Sequence, residues 1–294
     1  MSLEREFAQW RERVDATLAS VLPSVTSSPT QLHAAMNHAV MLGGKRMRPL
    51  LCYASAVAVA PHVDLARIDP AAASVELVHA YSLVHDDLPC MDDDALRRGQ
   101  PTVHVKFDEA TAVLTGDALQ TLAFETIAHA SWHAEEKVRV LQSLATASGA
   151  RGMCGGQALD IEATGEQISL EQLRHLHSLK TGALIVSAVE MGAILVGASS
   201  DQLTTLRDFA KDLGVAFQIR DDILDVEADS VTLGKTAGKD AEQDKSTYPA
   251  LLGMDDSKRL LDEIFARITK TLEPFGSSAQ ALHALAELTV RRAS

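Results

Sequence analysis

The sequence of 294 residues has few aromatic side chains, few cysteines and fewer basic than acidic residues. Aromatic residues make up 4% but hydrophobic residues 46%, so aliphatic side chains build the core and helices are favoured over sheets. The three cysteines form no CxxC pair, which excludes a disulfide framework and predicts a reducing, cytoplasmic location. With 27 basic and 40 acidic residues the net charge is −13, which argues against a nucleic-acid partner.

Targeting segments and long hydrophobic runs are also scarce. The first residues are charged and contain no apolar stretch with a cleavage site, so we predict no signal peptide. Residues 181–200 are almost wholly apolar, but Glu190 lies at their centre. A charged side chain there costs about 2.5–3.5 kcal/mol on membrane insertion. We therefore predict a buried core helix at this position and no transmembrane segment.

The hydrophobic pattern predicts helices along almost the whole chain and no convincing strand. The predicted helices include residues 3–22, 108–130, 134–149 and 170–197, and two short helices complete the chain. Proline and glycine residues mark the ends of these helices, and residues 99–101 predict a sharp break. No repeat or linker divides the chain. We predict one all-α domain, residues 1–294, folded as a helical bundle around a central cavity.

Two aspartate-rich clusters lie within this apolar helical sequence. The first runs from Asp86 to Asp94 and the second from Asp221 to Asp225. Neighbouring carboxylates repel each other unless a cation neutralises them. Carboxylate oxygens select Mg²⁺, and Mg²⁺ held by few carboxylates takes phosphate oxygens as further ligands. The clusters therefore predict one cavity with a carboxylate wall on each side and a diphosphate substrate.

The spacing of the aspartates differs between the two clusters. Asp221 and Asp225 are four residues apart, so they share one helix face. Asp86 and Asp92 are six apart with Pro89 between them, so we expect a locally distorted helix that returns Asp92 to Asp86. A solvated acidic surface is the alternative for each cluster, and the apolar residues around both clusters argue against it.

A third segment, residues 43–49, reads Gly-Gly-Lys-Arg-Met-Arg-Pro. Three cations after a glycine pair predict an anion site, and the helix that starts at Pro49 adds free N–H groups.

Three other motifs of known sites are incomplete or absent in the sequence. Residues 234–236 resemble only the end of a phosphate-binding loop, His129 and His133 lack the glutamate of a zinc site, and no hydrolase nucleophile elbow is present.

Taken together, these motifs resemble those of the short-chain trans-isoprenyl diphosphate synthases, and among them the bacterial farnesyl diphosphate synthases. The matching segments are residues 43–49, 76–94, 97–99, 114–119, 155–160, 180–182, 217–225, 234–235 and 238–240. They follow the order of the family. The resemblance implies the isoprenoid-synthase fold, a homodimer, and three Mg²⁺ ions per active site with Mn²⁺ as a substitute.

The resemblance also implies roles for individual residues. The metal ligands would be Asp86, Asp87, Asp92, Asp221, Asp222 and Asp225. The allylic diphosphate would be bound by Arg97, Lys180, Gln218 and Lys235, and isopentenyl diphosphate by Lys45, Arg48, His79 and Arg98. Thr181 and Gln218 would line the reacting centre. The catalytic residues would be Lys180, Thr181, Gln218, Asp86 and Asp221.

The implied reaction is a head-to-tail condensation. The allylic diphosphate ionises, the double bond of isopentenyl diphosphate attacks the cation, and the released diphosphate removes the final proton. Tyr81 and Ser82, just before the first cluster, would form the floor of the product tunnel. The bulky Tyr81 favours the fifteen-carbon product, farnesyl diphosphate, whereas the small Ser82 keeps geranylgeranyl diphosphate as the nearest alternative.

Two other classes of protein are alternatives to a prenyl diphosphate synthase. A class I terpene cyclase would share the fold, but the aspartate-rich second cluster and the cationic segment argue against it. A non-catalytic subunit of a heteromeric synthase would be expected to lose residues of these motifs, and this chain keeps them.

Overall fold

The computed structural model describes residues 2–231 and 246–292. Lys235, one of the predicted diphosphate ligands, lies outside these residues. The chain divides into two compact units. Unit 1 consists of Met1–Tyr53 and His62–Leu141, and unit 2 consists of Ala54–Pro61 and Gln142–Ser294.

The described residues are almost wholly helical, which confirms the predicted all-α class. The helices up to the middle of the chain are α1 (Leu3–Val21), α2 (Thr30–Met41), α3 (Met47–Val59), α4 (Asp69–Asp86), α5 (Val103–Lys106), α6 (Glu109–His129) and α7 (Ala134–Ser148). The later helices are α8 (Met153–Glu162), α9 (Leu170–His177), α10 (Ala183–Leu195), α11 (Ser200–Val231), α12 (Tyr248–Leu252), α13 (Met254–Leu272) and α14 (Gln280–Arg291). Short 3₁₀ turns cover Leu65–Arg67 and Glu273–Ala279, and a π-helical turn covers Ser178–Gly182.

Unit 1 is organised around α4, which packs most extensively against α6. The small and branched residues of α4 are buried on nearly every face of the helix, because α1, α2 and α6 surround it. After α4 the chain forms a hairpin of two short antiparallel strands, β1 (Leu96–Arg97) and β2 (Gln100–Pro101). The hairpin turn has φ values of 54° at Arg98 and 74° at Gly99, as two-residue turns with right-handed strand twist require. The predicted break at residues 99–101 is this hairpin.

Unit 2 is organised around α11, which packs against α10, α13 and α14. The apolar face of α13 buries Leu261, Ile264, Ile268 and Leu272, the spacing of an amphipathic helix. We predicted a continuous helix over residues 170–197, but the π-helical turn interrupts it. We also predicted two short terminal helices, whereas α13 has 19 residues.

The apolar stretch Leu170–Leu195 is long and apolar enough to cross a membrane, but 61% of its most apolar window is buried inside the protein. Glu190, at the centre of residues 181–200, accepts a hydrogen bond from Ser143 at 2.7 Å and pairs with Arg207. A carboxylate satisfied by protein groups suits a core helix, as we predicted.

Candidate active site

The first acidic cluster forms where α4 ends. The helix finishes at Asp86, and the backbone N–H of Asp92 donates to the carbonyl oxygen of Asp86 at 2.8 Å. The backbone N–H groups of Asp93 and Asp94 likewise donate to the carbonyl oxygens of Leu88 and Asp87. These bonds satisfy carbonyl oxygens that a helix end leaves without donors. The predicted return of Asp92 to Asp86 is confirmed, but a helix end causes it and not a distorted helix.

Asp87 and Arg97 bind each other beside this turn. Nε and Nη2 of Arg97 donate to Oδ1 of Asp87 at 2.9 and 2.6 Å, and the Asp87 side chain is 5% exposed. Burial raises the pKa of Asp87, and the guanidinium of Arg97 opposes that rise. The pair fixes the hairpin to the end of α4. Metal binding by Asp87 and diphosphate binding by Arg97 stay predictions.

Gly44 and Arg98 determine the shape of the predicted anion site. Gly44 has a φ of 142°, and a Cβ on it would come within 2.7 Å of the guanidinium carbon of Arg98. Gly43 also has a positive φ, 81°, but open space surrounds it. The missing side chain at residue 44 therefore lets Arg98 approach the backbone of the cationic segment. Lys45 is exposed at the same place.

Arg46 does not belong to this anion site, which corrects our prediction of three clustered cations. Its guanidinium donates to Asp15 at 2.8 Å, to Glu76 at 2.9 Å and to the carbonyl oxygen of Val40 at 2.8 Å. The Arg46 side chain is 3% exposed. The buried carboxylate of Glu76 on α4 requires a cation, and Arg46 supplies it.

His79, on α4, lies among guanidinium groups. Burial, and then the charges of Arg48, Arg98, Arg97 and Arg46, hold the pKa of His79 well below its ordinary value. The imidazole is therefore neutral at physiological pH in the ligand-free protein. Positive charge concentrated around a partly buried side chain favours an anionic ligand, which would remove the repulsion.

The two residues predicted to form the tunnel floor lie near the end of α4. Tyr81 is 4% exposed, and its ring meets the ring of His85 edge-on with centroids 6.0 Å apart. Ser82 Oγ donates to the carbonyl oxygen of His79 at 2.9 Å. The His85 ring fills the space beside Gly116 on α6, where a Cβ would come within 2.0 Å of its Nε2. The chain-length role of Tyr81 and Ser82 stays a prediction.

In unit 2, Lys180 and Thr181 lie in the π-helical turn. Such turns are rare and are frequent at functional sites, because they displace side chains from the regular helix path. Nζ of Lys180 donates to Oδ2 of Asp160 on α8 at 2.6 Å. A Cβ at Gly156 would lie 2.2 Å from the backbone nitrogen of Lys180, and one at Gly214 would lie 2.9 Å from the end of the turn. Glycines on α8 and α11 therefore let both helices close on the turn.

A chain of hydrogen bonds, which we call the Gln218 chain, links this turn to α11 and α12. Thr181 Oγ1 donates to Gln218 Oε1 at 3.3 Å, and Gln218 Nε2 donates to Asp222 Oδ1 at 2.9 Å. The backbone N–H of Tyr248 donates to Asp222 Oδ2 at 2.9 Å. Asp222 is 2% exposed. Its contacts show that it orients Gln218, and its role as a metal ligand stays a prediction.

Asp221 pairs with Arg292, which directly follows α14. Nη2 of Arg292 also donates to the carbonyl oxygen of Phe217 at 3.1 Å, and the guanidinium lies 4.3 Å from the centroid of the Phe217 ring. Burial lowers the pKa of Arg292, and Asp221 opposes this. The Asp221 side chain is 43% exposed and shares a helix face with Asp225.

The carboxylates fit Mg²⁺ that takes part of its ligands from a substrate. Within residues 2–231 and 246–292, no group of three or more His, Cys, Asp or Glu side chains could hold a metal ion. Mg²⁺ does not need such a group, because one or two carboxylates with substrate phosphates and waters complete its octahedron. Asp86 and Asp92 at the end of α4, and Asp221 and Asp225 on α11, are the carboxylates that would hold such ions, and their role as metal ligands stays a prediction.

Four residues in or beside these arrangements received no role from the sequence: Asp160, Tyr248, Arg292, and His177, which ends α9 directly before the π-helical turn. Asp160 lies within segment 155–160 of the resemblance, so a carboxylate in a matching motif was an available signal. His177 precedes Lys180 by three residues, which is helical spacing. Tyr248 and Arg292 contact aspartates 26 and 71 residues away, and no local pattern reveals such contacts.

The chain is similar in sequence and in fold to known proteins. The family model described as polyprenyl synthetase matches residues 29–281. The farnesyl diphosphate synthase of Haemophilus influenzae is 43% identical over 98% of this chain and 98% of its own length. The chloroplastic geranylgeranyl pyrophosphate synthase of Catharanthus roseus is 44% identical over 90% of this chain and 74% of its own. The crystal structure of an FPP/GFPP synthase from Zymomonas mobilis is 37% identical, with a TM-score of 0.88 over 98% of both chains. By sequence and by its all-α isoprenoid-synthase fold, the chain belongs to the polyprenyl synthetase family.

Proposed function

We propose that the protein is a prenyltransferase that joins isopentenyl diphosphate head to tail to dimethylallyl or geranyl diphosphate and forms farnesyl diphosphate. The observation that carries this proposal is the set of guanidinium groups around His79, on the same helix that ends in the first acidic cluster. Guanidinium groups bind phosphate oxygens directly, and carboxylates bind Mg²⁺, which takes phosphate oxygens as further ligands. Together they favour a diphosphate as the ligand. The relatives named farnesyl diphosphate synthase support the same activity.

Isopentenyl diphosphate binds the cationic residues of unit 1 in this proposal. Lys45, Arg48 and Arg98 supply positive charge, and Gly44 leaves the space for Arg98. His79 is neutral before binding because the arginines oppose its protonation, and a bound diphosphate raises its pKa so that a proton is taken up. This subsite holds isopentenyl diphosphate, which does not lose its diphosphate in the reaction.

The allylic diphosphate binds Arg97, Lys180 and Gln218, together with Lys235 outside the described residues. Mg²⁺ held by the aspartates of the two clusters would supply the charge that makes diphosphate a better leaving group. Lys180 and Arg97 stabilise the negative charge that develops on that group. Thr181 and Gln218 present neutral oxygens to the allylic carbon and stabilise its positive charge without reacting with it.

The reaction needs no protein nucleophile. The double bond of isopentenyl diphosphate forms the new carbon–carbon bond, and the departed diphosphate accepts the proton that restores a double bond. The apolar residues of α4 exclude water, which would otherwise capture the cation. Tyr81 limits the product to fifteen carbons because its buried ring occupies the space a longer chain would need.

Three further parts of the proposal concern the whole protein. The two units act as one catalytic domain, which is supported by a family model that covers residues of both. The enzyme is a homodimer. It works in the cytoplasm, where its three cysteines, which form no disulfide, stay reduced.

The test is to incubate the purified chain with Mg²⁺, isopentenyl diphosphate and dimethylallyl diphosphate and to measure the chain length of the product. A fifteen-carbon product supports the proposal. A twenty-carbon product keeps the condensation but favours a geranylgeranyl diphosphate synthase. No product with either dimethylallyl or geranyl diphosphate would favour a subunit of a heteromeric synthase.

A pair of variants connects the activity to the site. Asp86→Asn removes a carboxylate that we assign to the metal, and Asp93→Asn removes an exposed carboxylate of the same loop. We expect the first to lower kcat at least about a hundredfold and the second to change it little, since only the first weakens stabilisation of the leaving group. Equal effects of the two would contradict the assignment of Asp86.

A further inference from the structure

His177 and Tyr248 form a buried ring pair next to residues that we assign to the allylic substrate. Their ring centroids are 5.7 Å apart with an angle of 31° between the planes. His177 is 9% exposed and Tyr248 is 0% exposed. A cavity of about 100 Å³ adjoins the pair, and its lining includes His177, Lys180, Gln218 and Asp222.

On one side the ring pair supports the turn that carries Lys180 and Thr181. His177 is the last residue of α9, and the π-helical turn begins at the next residue. Close backbone contacts at Gly156 and Gly214 confine the turn from α8 and α11. The imidazole ring holds the chain at the point where it enters the turn.

On the other side the ring pair supports the end of the Gln218 chain. Tyr248 donates its backbone N–H to Asp222, which accepts from Gln218, which accepts from Thr181. Contact between the rings of His177 and Tyr248 therefore connects the two ends of the Gln218 chain through the protein interior. The π-helical turn, the hydrogen bonds and the two rings together form a continuous ring of contacts.

We propose that His177 and Tyr248 are positioning residues whose paired rings hold Lys180, Thr181 and Gln218 against the allylic substrate. This inference rests on the proposed function. The Nδ1 of His177 is buried and has no hydrogen-bond partner in the structure as far as it is described, so this nitrogen contributes no polar contact and the ring supports its neighbours by packing. Burial also lowers the pKa of His177 to about 4, so the ring is neutral at physiological pH.

The test compares His177→Phe with His177→Leu in the full-length enzyme. Phenylalanine keeps a flat ring, whereas leucine removes it. We expect His177→Phe to keep kcat within about threefold, and His177→Leu to lower kcat about tenfold or more, because small displacements of positioned groups have large effects on rate. The KM for the allylic diphosphate should rise in His177→Leu while the KM for isopentenyl diphosphate stays unchanged.

His283→Leu is the matched control. His283 forms a half-buried ring pair with Phe265, with centroids 5.3 Å apart, between α13 and α14 and outside the Gln218 chain. Loss of this pair should affect the melting temperature but neither kcat nor KM.

Two results would overturn the inference. Wild-type kcat in His177→Leu would show that the ring pair does not position the site. Equal loss of kcat in His177→Phe and His177→Leu would show that the imidazole nitrogens, and not the ring, are needed. If His177→Leu fails to fold, Tyr248→Leu takes its place with the same expectation, because it removes the other ring and keeps the backbone N–H. Inactive wild-type enzyme would overturn the proposed function as well, whereas active wild type with unaffected variants overturns this inference alone.

Discussion

Arg98 lies where it does because residue 44 has no side chain. A Cβ there would come within 2.7 Å of the guanidinium carbon. We expect Gly44→Ala to displace Arg98 and to raise the KM for isopentenyl diphosphate about tenfold, because a charge-assisted contact to phosphate is lost. Steady-state kinetics at varied isopentenyl diphosphate would measure this change.

Gly43→Ala is the matched control for this prediction. Gly43 also has a positive φ but no neighbouring atom within 4 Å. Either alanine strains the backbone by about 1–2 kcal/mol, so both variants should melt at lower temperature. Only Gly44→Ala should change the KM, and an equal KM in both variants would contradict the assignment of Arg98 to isopentenyl diphosphate.

Arg292 neutralises Asp221, so a divalent cation must compete with it for that carboxylate. We expect Arg292→Ala to lower the Mg²⁺ concentration for half-maximal activity by about threefold or more, because a competing positive charge is removed. Arg291→Ala is the control, since Arg291 is 69% exposed and pairs with Glu287. A higher Mg²⁺ requirement in Arg292→Ala would show that Arg292 assists the site.

The ring of Tyr81 tests the assignment of product length. We expect Tyr81→Ala to shift the product from fifteen toward twenty carbons, because it removes a buried ring near the end of α4. Tyr81→Phe keeps the ring and should keep the fifteen-carbon product. Chromatography of the products decides between these outcomes, and an unchanged chain length in Tyr81→Ala would refute the predicted floor.

At the scale of elements, the packing of α4 on α6 depends on Gly116. Glycine to alanine inside a helix ordinarily stabilises a protein by up to about 1 kcal/mol. Here the added Cβ would meet His85 Nε2 at 2.0 Å, so we expect Gly116→Ala to lower the free energy of unfolding by about 1–3 kcal/mol. Urea unfolding would measure the change.

A double-mutant cycle gives the control for this prediction. His85→Ala removes the ring that the new methyl group would meet. In that background Gly116→Ala should be neutral or stabilising. Destabilisation of the same size in both backgrounds would show that His85 is not the obstacle.

Some helices are determined by the local sequence, whereas the π-helical turn depends on tertiary contacts. Helix bounds predicted at 3–22, 108–130 and 134–149 agree within one residue with α1, α6 and α7. Caps and apolar periodicity set these bounds, and both are visible in the chain. The π-helical turn was not predicted, because it follows from close approach of α8 and α11 at Gly156 and Gly214. Periodicity contains no information about such contacts.

At the scale of the whole molecule, two histidines make stability depend on pH. The folded pKa values of His79 and His177 lie below the ordinary value of 6.5, in the second case at about 4. At a pH between the folded and the unfolded pKa, the histidine binds a proton in the unfolded chain but not in the folded protein. The two histidines therefore do not lower the free energy of unfolding above about pH 6.5, and they lower it increasingly as the pH decreases. His177 alone accounts for a loss of about 3 kcal/mol by pH 4, at about 1.4 kcal/mol per pKa unit.

Chemical denaturation at pH 7, 6, 5 and 4 would test this dependence. His177→Phe cannot titrate, so we expect it to lose less stability than the wild type over the acid range. Parallel curves for the two proteins would show that His177 does not contribute.

The sequence by itself determined the helical class, the acidic clusters and the cationic segment. Composition and periodicity act along the chain, and a cluster of like charges requires a counter-ion in any fold. The sequence also placed Asp92 beside Asp86, since proline and a helix end act over a few residues.

Only the tertiary structure decided which of these charges already have protein partners. Arg46 binds Glu76, Asp87 binds Arg97, and Asp221 binds Arg292, although each was a candidate for a ligand site or a metal. These partners are 30, 10 and 71 residues apart in the chain. A buried charge takes whichever opposite charge packing brings to it, and packing depends on the whole fold.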